Sequence, residues 1–178
     1  MAATLRTQFK IQGWQEMRRT FAELKKGVRN RVSKAALMAG GRIIAKNTKS
    51  ITPVADADQT TRGIPVGPGR GLLKRSLGLR GKIKNGRAYV VVGPRRKMKM
   101  QIGVNKKGEP VYMNPTNYAH LMETGHVLKR GNKIVGRVAP TNFMRRGFEM
   151  SLGAAQAVIE QKFAEGIARE AAKAASKK

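Results

Sequence analysis

A chain of 178 residues is long enough to bury a core within one domain, without help from metals or disulfides. It contains no cysteine, which excludes a disulfide framework and thiolate–metal chemistry and fits synthesis in a reducing cytoplasm. Its 37 Lys and Arg against 10 Asp and Glu give a net charge of +27, and so cationic a surface calls for an anionic partner: nucleic acid, an acidic protein face, or both.

In chain order, residues 7–12 alternate polar and apolar and predict a short strand, broken by Gly13. Trp14, Met17, Phe21 and Leu24 then mark one apolar helix face that ends near Gly27. A second helix is expected to open at Asn30 as N-cap, burying Val32, Ala36, Ala39 and Ile43. Its small residues Ala35, Ala36, Ala39, Gly40 and Gly41 permit close packing on a neighbour. From Thr52 to Gly71 the chain is rich in Pro, Gly, Asp and Thr, which predicts a long loop, mobile over 54–70 until a partner orders it. Leu77 to Ile83 and Arg87 to Gly93 read as two strands joined by Asn85-Gly86, a strong two-residue hairpin signal, with 88–92 the best strand and the central one.

Residues 95–112 form a basic arm or hairpin turning at Asn105 to Gly108. Asn114-Pro115 offers an N-cap and an N1 proline for a short helix running to Glu123 and closed by Gly125. Val127-Leu128 and Ile134-Val135 flank the turn of a second hairpin. From Asn142, the residues Phe148, Leu152, Ala155, Ile159, Phe163 and Ile167 trace a helix of about thirty residues, frayed over the basic tail 171–178. No run approaches the roughly 18 apolar residues of a membrane span, and Met1 to Arg6 lacks the apolar core of a signal peptide. The expected fold class is α+β in a single domain over 1–178: a small, mostly antiparallel sheet packed by helices, with a long C-terminal helix.

The charge is unevenly placed. Residues 59–108 hold 14 basic residues and no acid, 124–148 hold six more with no acid, and from Glu149 onward four acids meet five bases. The middle of the chain is therefore the expected contact surface for a neighbouring subunit or an anionic partner. Arg62, Arg70, Lys74 and Arg75 present it around the loop, Arg95, Arg96, Lys97 and Lys99 on the arm, and Lys129 and Arg130 on the later hairpin. With only three tyrosines and one tryptophan, stacking on bases is weakly supported, so any nucleic-acid contact would be to phosphate and strongly salt-dependent.

Catalytic chemistry lacks its parts. His120, Glu123 and His126 have a spacing that invites a metal, but Gly125 should end the helix before His126 and no further acid lies nearby. Glu123 is the only acid between Glu109 and Glu149, and a structural clamp to an arginine such as Arg145 is the better expectation. Residues 67–71 are glycine-rich but do not match a phosphate-binding P-loop. Ser76 has no His and Asp to activate it, and Asp56 and Asp58 are an isolated pair. No enzyme activity, cofactor or metal is expected.

Four short pieces occur in order: Thr52-Pro53-Val54 with Gly71 to Ser76, then Val92-Gly93-Pro94, then Tyr118-Ala119 with Glu123 and Gly125, then Pro140 with Phe143-Met144-Arg145 and Phe148-Glu149. No piece is specific alone, but the ordered set resembles the small neck or tail-completion proteins of long-tailed bacteriophages. The resemblance carries onto Pro53, Leu73, Ser76, Gly93, Pro94, Tyr118, Ala119, Glu123, Gly125, Phe143, Arg145 and Glu149. Where that family has a second proline, this chain has Thr141-Asn142. The resemblance implies a structural virion protein of the head–tail junction, made in the host cytoplasm and built into a homo-oligomeric ring of six. Its neighbours would be head-closure, tail-terminator or tail-tube proteins, with double-stranded DNA in transit as a further contact and no membrane. The rival expectation is a basic nucleic-acid-binding protein of nucleoid or ribosomal type.

Overall fold

A computed structural model describes residues 26–54, 60–61, 64–65, 71–105 and 107–176. The expected strand at 7–12 and the helix through Trp14 to Leu24 lie outside them. The first described helix, α1, spans Lys26–Ile51. It runs straight through Asn30, the expected N-cap, because Val28 and Val32 on either side of that residue both pack into a core; tertiary burial overrides a residue's local capping preference. Within the expected loop, β1 (Thr60–Thr61) pairs antiparallel with β2 (Ile64–Pro65). A one-turn helix, α2 (Leu72–Ser76), leads directly into β3 (Leu77–Lys84), which turns back as β4 (Arg87–Pro94). Asn85 and Gly86 have φ of 52° and 71°, the two positive values a tight hairpin turn requires.

Strands β5 (Met100–Val104) and β6 (Pro110–Met113) pair antiparallel with an irregularity between Gln101 and Gly103. The basic arm is thus a hairpin, and Asn105 organises its turn by accepting the N–H groups of Lys107 and Glu109, both at 2.9 Å. The expected helix from Asn114 to Glu123 is split. Asn114 caps a 3₁₀ turn, Pro115–Asn117, and α3 (Ala119–Thr124) follows. Strands β7 (His126–Arg130) and β8 (Lys133–Val138) form the last hairpin. Helix α4 spans Phe143–Ala175, so it stays wound through residues where fraying was expected.

The architecture is α+β with a long C-terminal helix, and its strands form separate two-stranded antiparallel pairs. Strand β4 is therefore not central: among the described residues it pairs with β3 alone, and Val91 is 54% exposed. Its unbroken apolar run looks like an interior strand, yet its burial alternates as a ribbon with one covered face does. No described helix is long and apolar enough to cross a membrane.

The contacts group into two compact units. One comprises the described parts of Met1–Gly41, Arg80–Val90 and Gly153–Lys178. Its core is Val32, Ala36 and Phe163, with Val28, Ile159 and Ile167 packed around them. Gly40 is needed here: a Cβ would sit 2.5 Å from the Ile159 side chain and 2.9 Å from the Ala155 carbonyl. Arg31 closes the packing with a 2.8 Å ion pair to Glu170, whose carboxyl that hydrogen bond holds below its ordinary range.

The other unit comprises Arg42–Leu79 and Val91–Leu152. Here Gly147 lies against Thr48 so closely that a Cβ would be 2.4 Å from its Oγ1 and 2.6 Å from its Cα. One turn further along α4, Asn47 donates from Nδ2 to the Ser151 hydroxyl at 3.0 Å, and that hydroxyl donates to the Gly147 carbonyl. Gly147→Ala should therefore destabilise by about 1–3 kcal/mol through overpacking. Gly153→Ala, where a Cβ meets nothing within 4 Å, should stabilise by about 0.5–1 kcal/mol through helix propensity. Urea unfolding of both variants checks the opposite signs.

Candidate functional site

Five short stretches of chain converge in the second unit. Leu73 on α2, Leu77 at the start of β3, Ala119 on α3 and Phe143 at the start of α4 form its buried apolar cluster. Ile51, Tyr118, Met122 and Met144 pack against it from the half-buried rim. Three of the four buried residues, Leu73, Ala119 and Phe143, are motif positions singled out in the sequence. Ser76, another of them, spends its buried hydroxyl on the Leu73 carbonyl at 2.7 Å, which ties off the short α2 helix and leaves no free nucleophile. Burial pushes the Tyr118 phenol above its ordinary pKa, against a smaller opposing effect of a hydrogen bond with the Leu73 backbone.

Gly125 ends α3 at φ 71° and ψ 166°. A Cβ there would lie 2.6 Å from the Val138 carbonyl and 2.8 Å from the Pro140 nitrogen, so both the dihedral and the close approach demand glycine. That approach brings the end of β8 beside the end of α3. Thr141 then donates its N–H (3.0 Å) and its hydroxyl (2.6 Å) to the Met122 carbonyl, and the Asn142 N–H donates to the Glu123 carbonyl at 3.1 Å. These bonds satisfy carbonyls left open at the C-terminal end of α3. Asn142 takes φ 47°, a left-handed value that asparagine tolerates better than most residues.

The Glu123 carboxylate completes the junction. Its Oε2 accepts the Met144 N–H at 2.8 Å and its Oε1 accepts the Arg145 N–H at 3.0 Å. A helix start has four N–H groups without internal partners and a partial positive charge, so an anion placed there satisfies both. Glu123 therefore meets Arg145, but at its main chain and not at its guanidinium as the charge argument suggested. The guanidinium pairs instead with Glu149, one turn on, at 2.8 Å, and that hydrogen bond raises its pKa above the ordinary arginine value. The sequence identified the carboxylate and missed the donors, because backbone amides leave no mark in a sequence. The signal that could have found them is the lone acid of this region at the end of one short helix, close in sequence to a helix start whose first amides lack partners.

With both oxygens of Glu123 engaged, the metal constellation loses its carboxylate. His126 Nδ1 lies 3.3 Å from the Leu121 carbonyl and His120 is exposed. Among the described residues, no three His, Asp or Glu side chains come together as a metal would need.

The expected contact cations are distributed over the second unit's surface. Arg62 and Arg70, like Asp56 and Asp58, lie outside the described residues. Lys74 and Arg75 are exposed on α2, where Arg75 also reaches the Met100 sulfur at 3.7 Å. Arg95, Arg96, Lys97 and Lys99 follow β4. Arg95 donates its N–H to the Ser76 carbonyl at 3.0 Å and lays its guanidinium over Gly78, where a Cβ would be 2.3 Å from Nε. Lys99 sits 4.7 Å above the Tyr112 ring, a cation–π contact across the arm's hairpin. Lys129 and Arg130 are exposed at the tip of β7.

The model of the family described as "Bacteriophage HK97-gp10, putative tail-component" matches residues 15–125, more than half of the chain. The matched segment includes the motif positions from Pro53 to Gly125; the Phe143 to Glu149 piece lies beyond it. No curated protein and no solved structure matches the chain.

If Glu123 is the cap of α4, Glu123→Ala should cost about 1–2 kcal/mol, as loss of a helix cap does. Arg145→Gln should leave the unfolding midpoint close to that of the parent, since its side chain contacts only an exposed carboxylate. In a double-mutant cycle the two effects should add. A coupling free energy well above zero between the two side chains would restore a direct carboxylate–guanidinium pair.

Proposed function

Because the chain belongs to this phage tail-component family, and is thereby a structural protein of the virion tail, we propose that it completes the head–tail junction as one subunit of a six-membered ring. Its cationic middle docks on acidic faces of the adjacent head-closure, tail-terminator or tail-tube proteins. Family membership favours this reading over the nucleoid or ribosomal alternative.

The observation that carries the reading is the placement of the ion pairs. The four among the described residues join Arg31 to Glu170, Arg145 to Glu149, Lys162 to Glu165 and Lys173 to Glu170. None uses a cation from 59–138, the stretch that supplies most of the net charge. A surface left unneutralised inside its own chain is suited to electrostatic registration against a partner of opposite sign. DNA passing through the junction would meet the same cations through its phosphates alone, without sequence preference. In this reading the chain performs no chemistry: the apolar cluster and the Glu123 cap hold the motif residues, and the cations face outward.

Like charge opposes ring closure in the absence of a partner. At about 10 mM ionic strength the Debye length is about 30 Å, so neighbouring subunits repel across their whole contact. The purified protein should therefore be monomeric or heterogeneous by light scattering at that ionic strength, and form a ring when an acidic partner or polyanion is supplied. A stable homohexamer without one would contradict the reading.

A further inference from the structure

The β7–β8 hairpin gathers more exposed large apolar side chains than any other described hairpin. Val127, Leu128, Ile134 and Val135 are all on it, each between 41% and 60% exposed. Lys129, Arg130, Lys133 and Arg137 lie among them, with no acid between His126 and Val138, and none of the four pairs with a carboxylate among the described residues. The register sets apolar beside cationic: Val127 is opposite Arg137 and Ile134 is opposite Lys129. Leu128 lies over Gly136, where a Cβ would be 3.6 Å from its Cδ1, and the bulge between Leu128 and Lys129 gives β8 an extra residue at Val135. Both faces of the outer hairpin are open, and its base is fixed where Gly125 meets Val138 and Pro140.

We propose that the β7–β8 hairpin is the element that seats this chain on an acidic protein surface bearing apolar side chains between its carboxylates. This rests on the reading that the cationic middle faces acidic neighbours, and it assigns the anchor. The described residues of a second copy of this chain do not offer such a surface. The described carboxylates are already engaged within the chain: Glu109 by Asn105, Glu123 by the α4 amides, Glu149 by Arg145, Glu160 by Gln156, Glu165 by Lys162 and Glu170 by Arg31. DNA would use the four cations and leave the four apolar side chains in water, whereas a protein partner removes both from solvent together. Exposed apolar groups clustered within a charged surface are the pattern of a protein–protein contact.

The test uses the full-length protein and three probes: a synthetic peptide alternating glutamate with leucine, a polyglutamate peptide of equal charge, and a short DNA duplex. The glutamate–leucine peptide should bind about tenfold more tightly than polyglutamate. Ile134→Ser with Val135→Ser should abolish that preference and leave polyglutamate binding intact, while Lys129→Glu with Arg130→Glu and Lys133→Glu should weaken both. These side chains are exposed, so the unfolding midpoint should stay at the parent value, and a single Ile134→Ser variant serves if the double one does not fold. Equal binding of the two peptides by the parent would overturn the proposal, as would duplex binding that responds to the cationic changes while the serine changes alter nothing. If the preference survives every hairpin change but is lost with Lys74→Glu and Arg75→Glu, the hairpin assignment falls and the acidic-neighbour reading stands. Failure of the parent to bind either acidic peptide sinks both.

Discussion

One carboxylate holds the organisation of the second unit together. Glu123 sits at the end of α3 and accepts the Met144 and Arg145 amides at the start of α4. A cap on the same chain segment would only start a helix. A cap 21 residues upstream also fixes where the helix starts relative to α3, and Phe143, the residue before the two capped amides, is thereby held in the apolar cluster at 1% exposure. The Thr141 and Asn142 bonds to the last carbonyls of α3 run in the opposite sense, so donors and acceptors at the two facing helix ends satisfy each other. The β7–β8 hairpin is the loop that this junction closes, and it inherits a fixed base from it.

Electrostatics gives the same residue a second significance. The stretch 124–148 holds six cations and no acid; of the two carboxylates that border it, Glu149 pairs with Arg145 and Glu123 is committed to main-chain amides. Lys129, Arg130, Lys133 and Arg137 are consequently left to the solvent or to a partner. Where acids are plentiful, along the second half of α4, they pair with Lys162 and Lys173 on the same helix and with Arg31 on α1. Among its described residues the chain thus keeps one region neutralised within itself and another open, which is the division that the proposed docking on acidic neighbours requires.

Much of this was legible from the residues. Asn85-Gly86 fixed the first hairpin because only a few residue pairs accept two positive φ values. Gly125 was correctly the end of α3, although the reason, the Val138 and Pro140 backbone pressed against it, is tertiary. The small residues of α1 did permit close packing, with Gly40 under Ile159. What failed did so for identifiable reasons. The local preference of Asn30 is for a cap, and the burial of Val28 and Val32 overrides it. The apolar run of β4 reads as a central strand, but hydrophobicity does not reveal how many neighbours a strand has. Glu123 was matched to a side chain because charge is visible in sequence and backbone amides are not. Gly147 inside α4 carries a further signal: a helical glycine costs about 1 kcal/mol relative to alanine, so its presence points to a close neighbour, here Thr48.

Amide hydrogen exchange at the start of α4 tests the central claim most directly. First-turn amides have no partners within the helix and exchange rapidly unless something outside it accepts them. The account predicts that the Met144 and Arg145 amides are protected as well as those deeper in the helix, and that Glu123→Gln selectively exposes this pair while residues 155–167 keep their protection. Rapid exchange of Met144 and Arg145 in the parent protein, or protection unchanged in the variant, would mean that Glu123 does not hold the helix start.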